Sequence, residues 1–333
     1  MEDVYQVPQP SDAKAISEIE RVGFSMPQAE VDFWSGRWST RYLRVIKSHG
    51  ALKASLTTIP LSLFCGAGSN LASVPAWAIA AVCVQPESRG SGAGGKLMRG
   101  IVTEMYHEGI PLSMLYPTTL PIYRSVGYEI GGTQYKSTLD LCSIQFRDSS
   151  TRPPPVIAFQ RSEHLQMIKD CYNRAARHLP GFLERTDFQW GIVLDVPHQI
   201  GWVVPAADGK SVEGYLLLWM ERVSERLHSH LHVSDVRFTS AQAARALLNV
   251  LKGFAPLGKK AIWLTGHTEP LFSHLREICW ETEVEHVYAV RLPHVLNALL
   301  QRPYNPLLTL SVSLVVLDKT VPQNTGQYDV SIT

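Results

Sequence analysis

The residues best suited to chemistry in this sequence are Arg89, Gly90, Gly92, Gly94, Gly95, Lys96 and Tyr123. The stretch VQPESRGSGAGGKLM, residues 84–98, sets four glycines between an apolar run and an amphipathic one. Upstream, WAIAAVCVQP reads as a buried strand closed by Pro86, since proline cannot donate to a sheet ladder. Downstream, Leu97, Met98, Ile101, Val102, Met105 and Tyr106 recur at helical spacing, and Gly109 with Pro111 supplies the stop. Bare amides between a strand and a helix N-terminus, backed by the positive end of the helix dipole, form a cradle for phosphates. Tyr123 follows a second apolar strand, IPLSMLY at 110–116.

The spacing separates the known phosphate cradles. A nucleoside-triphosphate loop needs G-x-x-x-x-G-K-[ST], but Leu97 follows Lys96, so no hydroxyl is present for magnesium. The dinucleotide pattern G-x-G-x-x-G has an echo in Gly90, Gly92 and Gly95. It needs an acidic residue about 20 positions on, and Glu104 and Glu108 come too early. The pattern R-x-x-G-x-G, supplied by Arg89, Gly92 and Gly94, fits best. It resembles the pyrophosphate-binding motif of the GNAT superfamily of N-acyltransferases. A second landmark lies in IYRSVGY, where Tyr123 precedes Gly127-Tyr128 just past a strand. Alone, such a tyrosine is more often a packing residue; two landmarks in this order favour the functional reading. The order VCVQPESRG, helix, G-I-P strand, IYRSVGY is similar to the enhanced-intracellular-survival (Eis) family.

That resemblance implies an α/β (α+β) chain of tandem GNAT folds. Each is a mixed, mostly antiparallel sheet flanked by helices, and a short sterol-carrier-like segment closes the chain. The implied domains are a catalytic one at 1–146, a linker at 147–156, a degenerate second GNAT-like domain at 157–285 and a partial sterol-carrier-like domain at 286–333. Acetyl-CoA or another acyl-CoA is the implied co-substrate, with no metal. Its pantetheine arm pairs with Val82, Cys83 and Val84, and Val82 also offers an oxyanion-binding amide. Its pyrophosphate sits on Arg89, Gly90, Ser91, Gly92, Ala93, Gly94, Gly95 and Lys96, while Tyr123 protonates the leaving thiolate. The first helix pair, FSMPQAEVDFWSGRW, implies an acceptor wall with Phe24, Glu30, Asp32, Trp34 and Trp38. Tyr116 joins it from the 110–116 strand. Trp34 and Trp38 read equally well as a core face. The base is left open among Glu30, Asp32 and a C-terminal carboxylate, Thr333 here. The acceptor is a small-molecule amine, or alternatively a peptide lysine taking a longer acyl chain. A non-catalytic acyl-CoA-binding scaffold is the other alternative. The resemblance also implies a homo-oligomer.

Composition bounds these readings. The chain has 333 residues, 45% hydrophobic and 18% charged, which suits two folded domains and a fragment of a third. A net charge of +1 gives no reason to expect nucleic acid or an anionic membrane as a partner. No apolar run reaches the ~18 residues of a membrane span. Five cysteines, none spaced C-x-x-C, point to reduced thiols in a cytoplasm, with Cys83 a buried thiol. His228, His230 and His232 alternate on one strand face, but nothing near them completes a metal site, so they read as strand histidines. Beyond the prolines at 153–155, a helix, strands, a helix capped by Ser240 and a strand repeat the first half. After HVSDVRF, however, no R-x-x-G-x-G follows, so this half is not expected to hold a pyrophosphate. The last stretch, from VYAVR onward, reads as a helix and a hairpin turning through DKTVPQNTG.

Overall fold

The computed structural model describes residues 3–35, 39–67, 70–147, 152–223 and 228–332. The chain divides into two units, Met1–Gly132 with Tyr288–Thr333, and Thr133–Val287. The first unit opens with β1 (Val4–Gln6), α1 (Ala13–Phe24), α2 (Gln28–Ser35), β2 (Leu43–Ser48), β3 (Ala51–Ala67) and β4 (Asn70–Val84). It continues through α3 (Ala93–His107), β5 (Leu112–Leu115), the single turn α4 (Pro121–Arg124) and the start of β6 (Glu129–Asp140). The second unit holds the rest of β6, then β7 (Ile157–Ala158), α5 (Arg161–Ala176), α6 (Asp187–Leu194), β8 (Ile200–Pro205) and β9 (Val212–Arg222). It ends with β10 (Ser229–Phe238), α7 (Ala241–Gly253), β11 (Gly258–Thr265) and most of β12 (Trp280–Arg291). The end of β12, α8 (Val295–Gln301), β13 (Leu310–Val316) and β14 (Gly326–Ile332) return to the first unit.

The first sheet grows from a tight hairpin. His49 and Gly50 both take left-handed backbone, with φ of 51° and 79°, the geometry a two-residue turn needs to match strand twist. Strands β1 to β4 then run antiparallel in order, and β4 meets β5 in parallel. Helix α3 covers one face. Its Leu97, Met98, Ile101, Val102 and Met105 are fully buried against Ile46, Leu56, Ile79 and Leu115. Each such side chain contributes roughly 1.5–3 kcal/mol by leaving water. The opposite face carries α1, whose Ile16 packs on Leu43 and Val45.

Two features differ from the expected organisation. The units divide at 132 and 288 rather than in the proline-rich stretch, of which residues 148–151 lie outside the described residues. VYAVR is also not part of a C-terminal helix. It is the end of β12, where Ala289, Val290 and Arg291 pair with Leu115, Met114 and Ser113 of β5. Pairing across so many residues leaves no local mark. The hairpin of β13 and β14 forms as expected, and Asp318 holds its turn by accepting from the amides of Thr320 and Val321 and from the Asn324 side chain.

The second unit repeats the plan. Strands β7 to β10 are antiparallel, β10 meets β11 in parallel, and α7 buries Ala244, Leu247, Leu248 and Leu251.

Candidate functional site

The strand that ends at the glycine loop is irregular at its most informative point. Ser55 pairs with Cys83 and Thr57 with Ala80, so Ala81 and Val82 together face Leu56 alone. This is a β-bulge, and Ala81 takes a left-handed φ of 50° to make it. A bulge re-aims the amides around it. Pairing of β4 with β5 covers only Ala76 to Ala78, so from Ile79 to Val84 that edge of β4 has no partner in β5. Val82, Cys83 and Val84 therefore lie on a strand whose free edge could accept an extended chain.

Beyond β4 the chain makes one 3-10 turn, Pro86–Ser88, and enters α3 through the glycines. Gly90 and Gly92 have φ of 78° and 86°, backbone that side chains rarely adopt, and open space surrounds the position of an added Cβ at both. The N-cap of α3 is Gly92, which supplies no side chain to its first amides, and no acidic residue occupies the first turn. No side chain caps those amides. Gly94 is buried because an added Cβ would meet Ile122 at 2.9 Å and Val84 at 3.2 Å, so α3, α4 and β4 meet at this glycine. Arg89 and Ser91 are exposed, and the Ser91 hydroxyl donates to the Ser88 carbonyl at 2.7 Å. Lys96 points elsewhere. Its ammonium lies 3.0 Å from Asp3, which Lys53 also holds at 2.9 Å, and these two lysines lower the Asp3 carboxyl to about 2. Arg99, unmarked by the sequence pattern, lays its guanidinium 3.4 Å from where a Gly95 Cβ would be.

Tyr123 is placed by α4 and is 7% exposed, with its ring edge-on to Tyr128 at 6.3 Å. Tyr128 is itself fixed by a 2.6 Å bond to Ser113, whose hydroxyl donates to the Trp77 carbonyl. The Tyr123 hydroxyl makes no hydrogen bond among the described residues. Burial, and secondarily Cys83, raise its pKa, so it stays protonated. Cys83 is buried and pushed up to about 12 by burial first and the Glu20 carboxylate second, with Arg89 opposing. Tyr123 packs in the core that Val82 and Val84 also touch, and a Cβ on Gly23 of α1 would lie 2.7 Å from the Cys83 thiol.

Among the described residues, the other expected ones sit on or beside α1, α2 and β5. Glu30 and Asp32 are exposed on α2, and Asp32 accepts from Gln28 at 2.8 Å. Phe24 ends α1 partly exposed, and Trp34 lies on α2. Tyr116 is exposed just past β5, edge-on to Tyr288 at 5.9 Å. Trp38 and Thr333 lie outside the described residues.

Glu20 was missed. It sits on α1 in register with Ile16, Ile19 and Gly23, so the signal was a carboxylate inside an apolar stripe. It is 9% exposed, forms no hydrogen bond or ion pair among the described residues, and burial raises its pKa to about 7. A raised folded-state pKa stabilises the fold fully below the ordinary value of about 4.5, and that stabilisation is lost as pH climbs through 7. Glu20→Gln is therefore expected to flatten the decline of stability between about pH 5 and 8 by up to about 3 kcal/mol. Denaturant titrations at both pH values check it; parallel curves for the two proteins would refute it.

The second unit shows what the same plan looks like when closed. Here β10 also bulges, at Ser234, just after its parallel pairing with β11 ends at His232. Only Thr239 and Ser240 then separate it from α7, so the glycine loop has no counterpart. Ser240 caps the helix by accepting from the Ala243 amide, and its hydroxyl donates to the Glu213 carboxylate at 2.6 Å. A carboxylate at the helix start repels a pyrophosphate. Beside the bulge, Arg185 pairs with Asp235 and stacks 3.9 Å over the Tyr172 ring. Burial opposes charge on Asp235, yet Arg185 and Arg237 hold its carboxyl below the usual range. His232 accounts for itself by stacking on Trp219 at 4.2 Å and meeting Glu221 at 2.8 Å.

Comparison with known proteins agrees with this geometry. Residues 5–131 and residues 181–292 each match a sequence model described as an acetyltransferase (GNAT) domain. A GCN5-related N-acetyltransferase from Anabaena variabilis superposes with TM-score 0.89 at 23% identity, over 99% of this chain and 83% of that one. A probable N-acyltransferase from Enterococcus faecalis gives 0.85 at 17%, over 99% and 82%. Eis1 from Mycobacterium abscessus gives 0.77 at 18%, over 99% and 83%. At these identities the likeness is one of fold. No curated protein sequence matches the chain.

Proposed function

We propose that this chain, which carries two domains of the GNAT acetyltransferase family, transfers an acyl group from acyl-CoA to a primary amine at the bulged strand and glycine loop of its first unit. One observation supports this most: α3 begins at a glycine that leaves its first amides uncapped, immediately after a strand with a free edge, whereas α7 is capped and guarded by Glu213. The pyrophosphate is held by the amides from Gly90 to Gly95 with Arg89, and the pantetheine arm lies along Val82 to Val84 like an added strand. Lys96, engaged by Asp3, is a secondary contact at most. An amide of the bulge near Val82 faces the thioester carbonyl as the oxyanion donor. Tyr123 protonates the departing thiolate, and its unbonded hydroxyl favours catalysis over simple binding.

An alkyl ammonium near pKa 10.4 must lose a proton before it attacks, which costs roughly 4.6 kcal/mol at pH 7. A base is therefore needed. The second unit binds no cofactor in this reading, and the first domain comprises residues 1–132 completed by 288–333. A thermal-shift scan with coenzyme A, combined with thiol release on a panel of small amines and lysine peptides, tests the proposal; no shift and no release would end it.

A narrower test addresses the cradle. Gly92→Val puts a branched side chain on backbone of φ 86° beside the open loop. Coenzyme A binding should weaken by about tenfold or more, equivalent to about 1.4 kcal/mol, with the fold retained. Unchanged affinity by calorimetry would mean that the loop holds nothing.

A further inference from the structure

To the base candidates Glu30, Asp32 and a C-terminal carboxylate, the structure adds one on α1. Ile16 packs on Leu43 and Val45 of β2, while a Cβ on Gly23 would lie 2.7 Å from the Cys83 thiol of β4. Val45, Ser55 and Cys83 are paired neighbours across β2, β3 and β4, so they share one face of the sheet. Ile16, Glu20 and Gly23 share one face of the helix. Glu20 therefore lies between those two contacts, on the face of α1 turned to the sheet. Ser55 Oγ and Thr57 Oγ1 on β3 are buried and have no hydrogen-bond partner among the described residues. A buried carboxylate on α1 and two buried hydroxyls on β3 thus have no protein partner among the described residues, on the sheet face that also carries the Cys83 thiol.

We propose that Glu20 is the general base of the transfer, accepting the proton that the attacking ammonium must shed. The proposal rests on the acyl-transfer reading above. Glu20 takes one N–H proton, and the freed amine lone pair forms the C–N bond to the thioester carbon. The C–S bond then breaks, the thiolate takes the Tyr123 proton, and the phenolate recovers a proton from the amide nitrogen. Glu20 returns its proton to solvent, so the sum is amide, free thiol and one released proton.

Among the described residues around Glu20, the other carboxylates are paired or exposed. On its own helix, Glu18 is bound by Arg21 at 2.7 Å, and Lys14 is exposed. From the preceding turn, Asp12 is held by Lys47 at 2.6 Å. Glu30 and Asp32 of α2 face solvent, and Lys53 of β3 is engaged by Asp3. Cys65 lies farther along β3. Cys83 of β4, Arg89 and Tyr123 complete the set and are already assigned to the acyl-CoA side.

The test compares the full-length protein with Glu20→Gln and Glu20→Asp, measuring thiol release from acetyl-CoA with primary amines from about pH 6 to 10, and coenzyme A binding by calorimetry. The wild type should show an ascending limb in kcat/KM near neutral pH. The Gln variant should lose that limb and fall by roughly 10²-fold at pH 7.5, the general-base range. The deficit should narrow towards about pH 10, where free amine is abundant. Coenzyme A affinity should stay within about twofold, and the Asp variant should keep the limb at reduced height. An unchanged limb in the Gln variant, or a loss matched by weaker coenzyme A binding, overturns the role of Glu20 and leaves the acyl-transfer reading intact. A wild type that releases no thiol with any amine overturns both.

Discussion

Replacing Tyr123 by phenylalanine should lower kcat by roughly 10²-fold or more, with coenzyme A affinity changed by no more than about twofold. The change deletes one hydroxyl and keeps the ring that packs edge-on to Tyr128. Because that hydroxyl makes no hydrogen bond among the described residues, its removal orphans no protein partner. Burial and the neighbouring Cys83 raise its pKa, so the wild type should keep its acid loaded at least to the ordinary tyrosine value near 10. The deficit of the variant should ease towards the thiol pKa of about 8.5, where the departing thiolate needs less help. Steady-state kinetics with calorimetry on the same samples checks this. Equal losses of turnover and binding would make Tyr123 a packing residue, and full activity would remove it from the mechanism.

Residues 1–146 expressed alone should fail to form the first unit, although every proposed cofactor contact lies within them. Strand β5 needs Ala289 to Arg291 as its antiparallel neighbour. Ala289 and Val321 are also buried in the core beneath α3, at 0% and 1% exposure. Deleting them opens the core and exposes a strand edge in the middle of a sheet, a loss comparable with the whole stability of a domain, about 5 kcal/mol or more. The fragment should show no cooperative melting transition and bind coenzyme A more than about 100-fold more weakly than the full chain. A fragment that melts cooperatively and binds like the whole protein would show that the returning segment is dispensable.

These expectations divide by the range of the signal behind them. The glycine loop, the start of α3, the position of Tyr123 and the Ser240 cap were legible because each depends on a few consecutive residues. Backbone freedom at glycine, helical periodicity and a side chain capping an amide three residues on are local physics. The loss of the cradle in the second half was legible too, as an absent motif. The sequence could not show that Glu213 guards the closed helix start, because that contact joins residues 27 apart.

Only the tertiary structure decided the rest. AAVCV reads as an uninterrupted strand, and its bulge at Ala81 arises from register against β3, which no local preference encodes. The ion pair of Lys96 with Asp3 joins residues 93 apart and has no mark in the local sequence. VYAVR could be read as belonging to whichever element followed it, since a strand's partner is chosen by burial of distant faces. Glu20 carries the same lesson. On α1 it is one more charge on an amphipathic helix, and it becomes a buried base candidate only because that helix packs on β2 at Ile16 and on β4 at Gly23 and buries the carboxylate between them.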